Sequence, residues 1–521
     1  MAQSHGDAPS DIPVLIVGAG PAGLSAAILL ARLGIRSLVV ERHPSTTDHP
    51  KARAFLTRTM EILRPWGVEP QIRANALPSG AFRFIWVESL AGREIGRVEP
   101  PRRDVPGPHS PAYVCMAGQD AFEAALRDHA VTYPQIDLRF STELTAFAQE
   151  ASGVAVALRR RDTGETLKAH ASWLIAADGA SSRIRRTLGI RMLGLGEIDH
   201  NINIHFRAEL APWVRHRPAV GFISARGNGT LLWAHDTDRW LILRSFHPAR
   251  GQSPESFTPE RCLDLARRAV GIDDLNVELI NLGFWTRTAE VAETFRHGRV
   301  FLAGDAAHRF PPTGGFGATT SIQDVHNLAW KIAGVVQGWA AASRAITEGD
   351  EAATRQALRE QVKHLDSEGQ DLGYWYSKGA LVGDDSSPPV HDSQIYVPNA
   401  RPGSRAPHLW LSSSGSEGAT ICSTLDLFER EFVLLTDLTG EGWRRAAPRA
   451  AGELKVPLAV YSIGAGGDFD CEETRFAELY GLDAGGAVLV RPDGHVAWRS
   501  RRTSTDAEGI MRSVLRTVLR R

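Results

Sequence analysis

A chain of 521 residues with 43% apolar and 23% charged positions has the material for two or three packed domains and is excluded from the disordered class. Its 59 Lys plus Arg balance 60 Asp plus Glu, so the formal charge of -1 excludes a global attraction to nucleic acid or anionic lipid; any anionic ligand must be held locally. Four well-separated cysteines, Cys115, Cys262, Cys422 and Cys471, exclude the close pairs of zinc and redox motifs and point to a reducing compartment.

The segment Met1 to Pro9 is polar and lacks the basic-then-apolar layout of a secretion signal, so a cytoplasmic protein is expected. From Ile12 to Glu41 an apolar run, a glycine turn, a helical run and a second apolar run outline a βαβ unit. The turn is Gly18-Ala19-Gly20-Pro21-Ala22-Gly23, whose glycines let a phosphate approach backbone N–H groups at a helix N-terminus. The second strand ends at Glu41, roughly 20 residues on, where a carboxylate can accept both ribose hydroxyls of an adenosine. A tight strand-to-helix turn alone would need no acid there, so a bound dinucleotide is the stronger reading.

Strand-like segments follow at Phe82 to Val87, Asn201 to Phe206, Leu231 to His235 and Trp240 to Phe246, and predict a second sheet covering a substrate. Two further strand–turn–helix units run from Trp173 to Leu188 and from Arg299 to Gly338, with Asp178-Gly179 and Gly304-Asp305 at the strand ends. If these strands join the first sheet, both pairs lie by the nucleotide crevice. Asp178 reads equally well as the cap of the helix that follows it. After Asp305, the run Ala306 to Thr320 has two prolines that stiffen it and three glycines that let backbone approach a flat ligand, and it has no simple packing rationale. Ile322, Val325, Ala329, Ile332 and Val336 recur at helical spacing, so this loop ends at a helix N-terminus. There a positive dipole end would stabilise the negative charge of a reduced flavin. No apolar run reaches the about 20 residues of a membrane span, because Arg32 and Lys331 interrupt the best candidates.

Residues 340–400 turn charged and then rich in Ser, Pro and Asp, as in Asp384-Asp385-Ser386-Ser387-Pro388-Pro389, which predicts helices ending in a linker. Short strands at Phe432 to Leu435, Leu458 to Tyr461 and Ala487 to Arg491 then predict a small C-terminal α/β domain. Gly464-Ala465-Gly466-Gly467 imitates a second nucleotide turn but lacks a following amphipathic helix start. The histidines have no metal-ligand spacing, and no metal is expected.

Together, Gly18 to Gly23, Glu41, Asp178-Gly179 and Gly304 to Gly317 resemble the flavoprotein aromatic hydroxylases of the para-hydroxybenzoate hydroxylase type. The stretch from Leu489 to Arg499, preceded by Ser423 to Phe428, resembles the larger branch that tailors bacterial aromatic polyketides. The resemblance implies an α/β protein with a Rossmann-like FAD-binding domain over 1–80, 111–195 and 291–340. A β-sheet substrate domain over 81–110 and 196–290, a helical linker over 341–400 and a thioredoxin-like domain over 401–521, without redox cysteines, complete it.

It further implies Gly18, Gly20 and Gly23 around the pyrophosphate, Glu41 on the ribose, Arg53 and Gln119 against FAD, Leu144 by the adenine and Asp305 on the ribityl chain. Ala22, Arg42, Asp178 and Gly315 join these contacts, with Pro312, Gly317, Ala318 and Thr319 at the flavin. Arg53 also reads as a helix cap and Gln119 as an ordinary first-turn residue. Relatives more often carry a larger apolar residue and an asparagine where this chain has Ala318 and Thr319, and the stretch Trp339 to Glu368 lacks their acidic-arginine-proline segment, where helix packing or a homodimer contact would differ.

NADPH or NADH is implied as a transient co-substrate, with O2 adding at flavin carbon 4a and the hydroperoxide oxygen passing to an electron-rich ring. Trp86, Phe222 and Trp233 are expected to wall a dry substrate pocket, with His205, His235 and Arg244 able to bond a phenol or quinone oxygen, although exposed strand polar residues are the alternative. Baeyer–Villiger oxygen insertion and an FAD-binding partner without turnover are the other readings of the same residues.

Overall fold

The computed structural model describes residues 12–78, 80–98, 105–227, 229–234, 238–338, 371–387, 392, 395–415, 418–471 and 473–520. His235, Pro388 and Pro389, and the divergent stretch from Trp339 to Glu368, therefore lie outside the described residues.

The strand Ile12–Val17 pairs in parallel with Ser37–Val40 on one side and Thr166–Ala176 on the other; Ile136–Arg139 and Val300–Leu302 extend this parallel core outward. An antiparallel hairpin, Thr142–Gln149 and Val154–Arg160, is added on Thr166–Ala176. The strands are apolar on both faces because both are covered: Leu24, Ile28 and Leu30 of the helix Pro21–Arg32 pack with Val14, Ile16 and Val39 in one core cluster, and Leu15, Leu38 and Leu174 pack with Val154, Val156 and Leu158 of the hairpin in another. Register decides the function of this layer. Val17 stands opposite Val40 and Ala176, and Ala176 opposite Leu302, so four strands end together and deliver Gly18, Glu41, Asp178 and Asp305 to one edge.

Gly18 and Gly23 shape the turn. Gly18 has φ of 104°, and a Cβ there would lie 2.2 Å from the Ala177 carbonyl oxygen; a Cβ on Gly23 would lie 1.8 Å from the Gly18 carbonyl oxygen. Gly23 thus lets helix and strand close on each other and does not face the crevice, which corrects its expected place beside a pyrophosphate.

The second sheet runs in the order His308–Arg309, Glu278–Ala292, Met192–Arg207, Arg239–Phe246, Thr230–Ala234, Gly221–Ser224, Phe84–Val87 and Glu94–Val98. Its two faces differ in what covers them. Ile202, Ile204, Phe206, Leu232, Trp240 and Ile242 pack under the helix Pro259–Val270, while alternate residues such as Leu231, Trp233, Leu241 and Leu243 face the first sheet across a cavity.

The C-terminal sheet has the order Leu458–Ser462, Phe432–Thr436, Ala487–Val490, Val496–Ser500, with the first pair parallel and the others antiparallel. Flanked by the helices Glu441–Leu454 and Ala507–Leu519, it is thioredoxin-like, and all four cysteines of the chain are free thiols. Residues 371–387 of the expected linker do not hang in solvent: the Val382 N–H bonds to the Ala497 carbonyl, and Asp384 pairs with Arg499 at 2.6 Å.

Candidate active site

One cavity of about 1950 Å³ lies between the first two sheets. At one end Gly18, Gly20 and Ala22 of the glycine turn meet Glu41, Arg42, Leu144 and Asp178. The Glu41 carboxylate is held at the strand end by the Ala19 N–H at 2.9 Å and by the His43 backbone N–H, also at 2.9 Å. Nothing comes nearer than 3.8 Å to a Cβ built on Gly20, so this stretch of backbone lies open to a ligand. Asp178 lines the cavity and also accepts the backbone N–H groups of Arg183 at 2.9 Å and Ile184 at 3.3 Å. Its carboxylate therefore does the work of a helix cap as well.

Midway, Arg53, Gln119 and Asp305 face the cavity. Gln119 accepts the Ala52 N–H through its side chain and donates its own N–H to the Ala52 carbonyl, which fixes the strand of chain carrying Arg53. The Arg53 guanidinium donates to the Ala234 carbonyl and lies 5.8 Å from the centre of the Trp233 ring. Asp305 is exposed to the cavity yet walled in by protein. Burial raises its carboxyl pKa, against the pull of His308, Lys51 and Arg309.

The loop after Asp305 has the packing rationale that its sequence hides. His308 is fully buried and its Nε2 lies 2.6 Å from the Asp324 carboxylate, which also accepts the Gly304 N–H at 2.9 Å. Burial opposes the imidazolium, but the Asp324 carboxylate outweighs it, and the His308 pKa is raised. One acid on the helix Phe316–Val336 thereby anchors both ends of the Asp305 turn. Gly314 and Gly315, with φ of 85° and 72°, turn the chain into that helix, so Gly317 and Ala318 sit in its first turn on the cavity wall beside Pro312. Thr319 faces away: it is buried, and its hydroxyl accepts the Leu56 N–H at 3.4 Å.

The far end is apolar, with Phe82, Phe84, Trp86, Trp233, Leu241 and Leu243 on its wall. Phe222 and Arg244, expected here, stand on the other face of the sheet. Phe222 is fully buried in the core under Pro259–Val270, and Arg244 donates to the Thr230 hydroxyl at 3.2 Å and the Gly227 carbonyl at 3.3 Å. Both alternate with Leu241 and Leu243 or pair opposite Leu232, which puts them on the core side. His205 is on the cavity side but buried beneath His49, their rings 5.7 Å apart.

Three wall residues escaped the sequence reading. His49, Asn203 and Trp285 form a chain of bonds: His49 Nδ1 to Asn281 Oδ1 at 2.7 Å, Asn203 Nδ2 to His49 Nε2 at 3.2 Å, and Trp285 Nε1 to Asn203 Oδ1 at 3.0 Å. Burial lowers the His49 pKa. Among the described residues no group of three or more His, Cys, Asp or Glu side chains forms a metal site.

Residues 11–361 match the family model of an FAD binding domain, and residues 399–521 that of the aromatic-ring hydroxylase C-terminal domain. The chain belongs to the FAD-dependent aromatic-ring hydroxylases. A polyketide hydroxylase assigned in Streptomyces halstedii is 40% identical over 99% of both chains, and a tetracenomycin A2 monooxygenase-dioxygenase of Streptomyces glaucescens is 37% identical over 98% of this chain and 97% of that one. Among solved structures, a ternary complex of aklavinone-11 hydroxylase with FAD and aklavinone superposes with a TM-score of 0.89 at 33% identity, covering 98% of this chain and 99% of the other. This hydroxylase is a flavoprotein monooxygenase, with FAD as its cofactor and a nicotinamide as co-substrate. Among its described residues no helix is long and apolar enough to cross a membrane.

Proposed function

We propose that the hydroxylase acts on a polycyclic phenol of the aromatic polyketide type, and that Gly18, Gly20, Glu41, Arg42, Arg53, Gln119, Leu144 and Asp305 hold its FAD. The observation that carries this reading is a single cavity with two unlike ends, about twice the upper volume of an ordinary ligand pocket, which suits a dinucleotide and a flat substrate held together. Open backbone at Gly20 and the Glu41 carboxylate suit the phosphate and ribose end, and cationic Arg42, Lys51 and Arg183 on the same wall suit anionic groups. The aromatic and aliphatic end suits fused rings. The relatives' names, polyketide and tetracenomycin among them, support the substrate class.

Bound FAD supplies hydride acceptance from the nicotinamide and activation of O2. The chain's own part is to position and to exclude. The first turn of Phe316–Val336, on the cavity wall, has backbone N–H groups and a positive dipole end that would stabilise negative charge on a reduced flavin bound there. Phe84, Trp86, Trp233 and Leu243 keep water from the reacting atoms, which favours transfer of oxygen over its loss as hydrogen peroxide. We place the protein in the cytoplasm, in keeping with its free thiols.

Product analysis with isotope-labelled O2 tests the reaction. One labelled oxygen in a new hydroxyl on the ring is expected. A labelled lactone or ester would instead show Baeyer–Villiger insertion on this scaffold.

A further inference from the structure

The polar chain at the substrate end has a direction, and the direction selects a kind of atom. An indole N–H can only donate, so Trp285 fixes the oxygen of the Asn203 amide toward itself, at 3.0 Å. The amide nitrogen then faces His49 Nε2 at 3.2 Å, and that nitrogen must accept. It does so because the His49 proton sits on Nδ1, facing Asn281 Oδ1 at 2.7 Å. Burial, which disfavours the imidazolium, keeps the ring in this neutral form. Asn203 Oδ1 and His49 Nε2 each accept a bond within the chain, and what is left over on the amide nitrogen of Asn203 is its second N–H.

Asn203 is 8% exposed, and it lines the cavity beside Gly283, Trp285 and Leu243. Leu241, Leu243 and Trp233 make the adjoining wall apolar, so an amide donor there sets orientation strongly. Gly283 is part of the device: a Cβ on it would come within 3.3 Å of His49 Nε2, so the absence of a side chain lets the imidazole reach Asn203.

We propose that Asn203 is a specificity-determining residue that donates to an acceptor oxygen of the substrate, a ring carbonyl or a phenolate, and that His49 is a positioning residue holding its amide in that orientation. This rests on the reading of the cavity's apolar end as the substrate site. The N–H left over favours an acceptor oxygen at this point, which makes the site a reader of quinone-like oxygens within a polycyclic phenol.

The test uses the FAD-loaded full chain and two matched probes, a hydroxyanthraquinone and the hydroxyanthracene that lacks its carbonyls. Binding is read from the perturbation of the flavin spectrum, beside NADPH oxidation. The wild type is expected to bind the quinone about tenfold more tightly than the anthracene, the scale of one hydrogen bond in an apolar site. Asn203→Ala brings that ratio to near one with FAD content unchanged, and His49→Ala lowers it in part, while His49→Gln, whose side chain still offers an acceptor, retains more of it. An Asn203→Ala protein that keeps its flavin and still prefers the quinone tenfold overturns the proposal, though the hydroxylase reading stands. A wild type that binds neither probe and oxidises no NADPH with any polycyclic phenol overturns the substrate reading itself, and this inference with it.

Discussion

Replacing Glu61 by alanine is expected to lower the stability of the protein by about 3–5 kcal/mol, the largest effect of any single substitution considered, because it strips a buried carboxylate from two buried cations. Glu61 lies on the short helix Thr57–Leu63, with its side chain 1% exposed. It accepts from Arg405 Nε at 2.9 Å, Arg58 Nη1 at 2.9 Å and the Ser110 hydroxyl at 2.7 Å. Arg405 belongs to the C-terminal domain, and Arg58 reaches that domain at the Asp493 carbonyl, 2.8 Å away. Removal of Arg405 alone would leave Glu61 paired with Arg58; removal of Glu61 leaves two guanidinium groups in a dry interface.

Burial opposes the Glu61 carboxylate, but Arg405 and Arg58 outweigh it and its pKa is lowered. A carboxyl with a depressed folded pKa contributes stability that is present above its unfolded value, about 4.3, and is lost as pH falls through the folded one. The stability gap between wild type and Glu61→Gln, which keeps the shape and loses the charge, is therefore expected to be full at neutral pH and to shrink only below about pH 4. Chemical denaturation followed by tryptophan fluorescence measures both effects. A gap under about 1 kcal/mol at pH 7 would contradict the view of this contact as the tie between the domains.

Asp305→Ala carries the second large effect. Its carboxylate faces the cavity at the end of Val300–Leu302 and makes no hydrogen bond to another described residue, so its bonding capacity is left for a ligand. Loss of a charged hydrogen-bond acceptor is expected to weaken FAD binding about 10- to 100-fold. Because no hydrogen bond between described residues is removed, and burial outweighs the attraction of His308, Lys51 and Arg309 for this charge, the apoprotein is expected to unfold close to the wild-type denaturant midpoint. Flavin released on denaturation, per mole of protein, measures the first quantity. Unchanged flavin content would show that Asp305 does not touch the cofactor.

The convergence of Gly18, Glu41, Asp178 and Asp305 at one sheet edge was legible because its signals are local. A glycine turn, an acid at the end of the next strand and an Asp at another strand end need only a parallel sheet to bring them together, and that sheet forms with the strand ends aligned. The apolar end of the cavity was legible only as composition. Strands such as Gly221–Ser224 and Arg239–Phe246 are apolar on both faces, so sequence alternation does not say which face looks into the cavity, and Phe222 and Arg244 fell on the wrong one. Asn203 and Trp285 come together through a 16-residue strand and its neighbour whose register shifts at three irregularities, which no local pattern announces.

His308 shows a different gap. Its partner Asp324 lies 16 residues on, across a loop whose prolines and glycines disguise a buried ion pair as a ligand-binding feature. Arg491 and Asp493, which the resemblance also covers, are likewise paired in the interior, with Asn327 of the helix Phe316–Val336 bonded to Asp493 at 2.9 Å. Charged residues in a sequence read as surface until a partner is seen.

The most direct measurement of the central claim is the visible spectrum of the purified protein, followed by NADPH oxidation against a panel of polycyclic phenols. A yellow protein carrying flavin bands, whose NADPH consumption rises when a polycyclic phenol is added, is the predicted result. A colourless protein that takes up no added FAD would contradict the account.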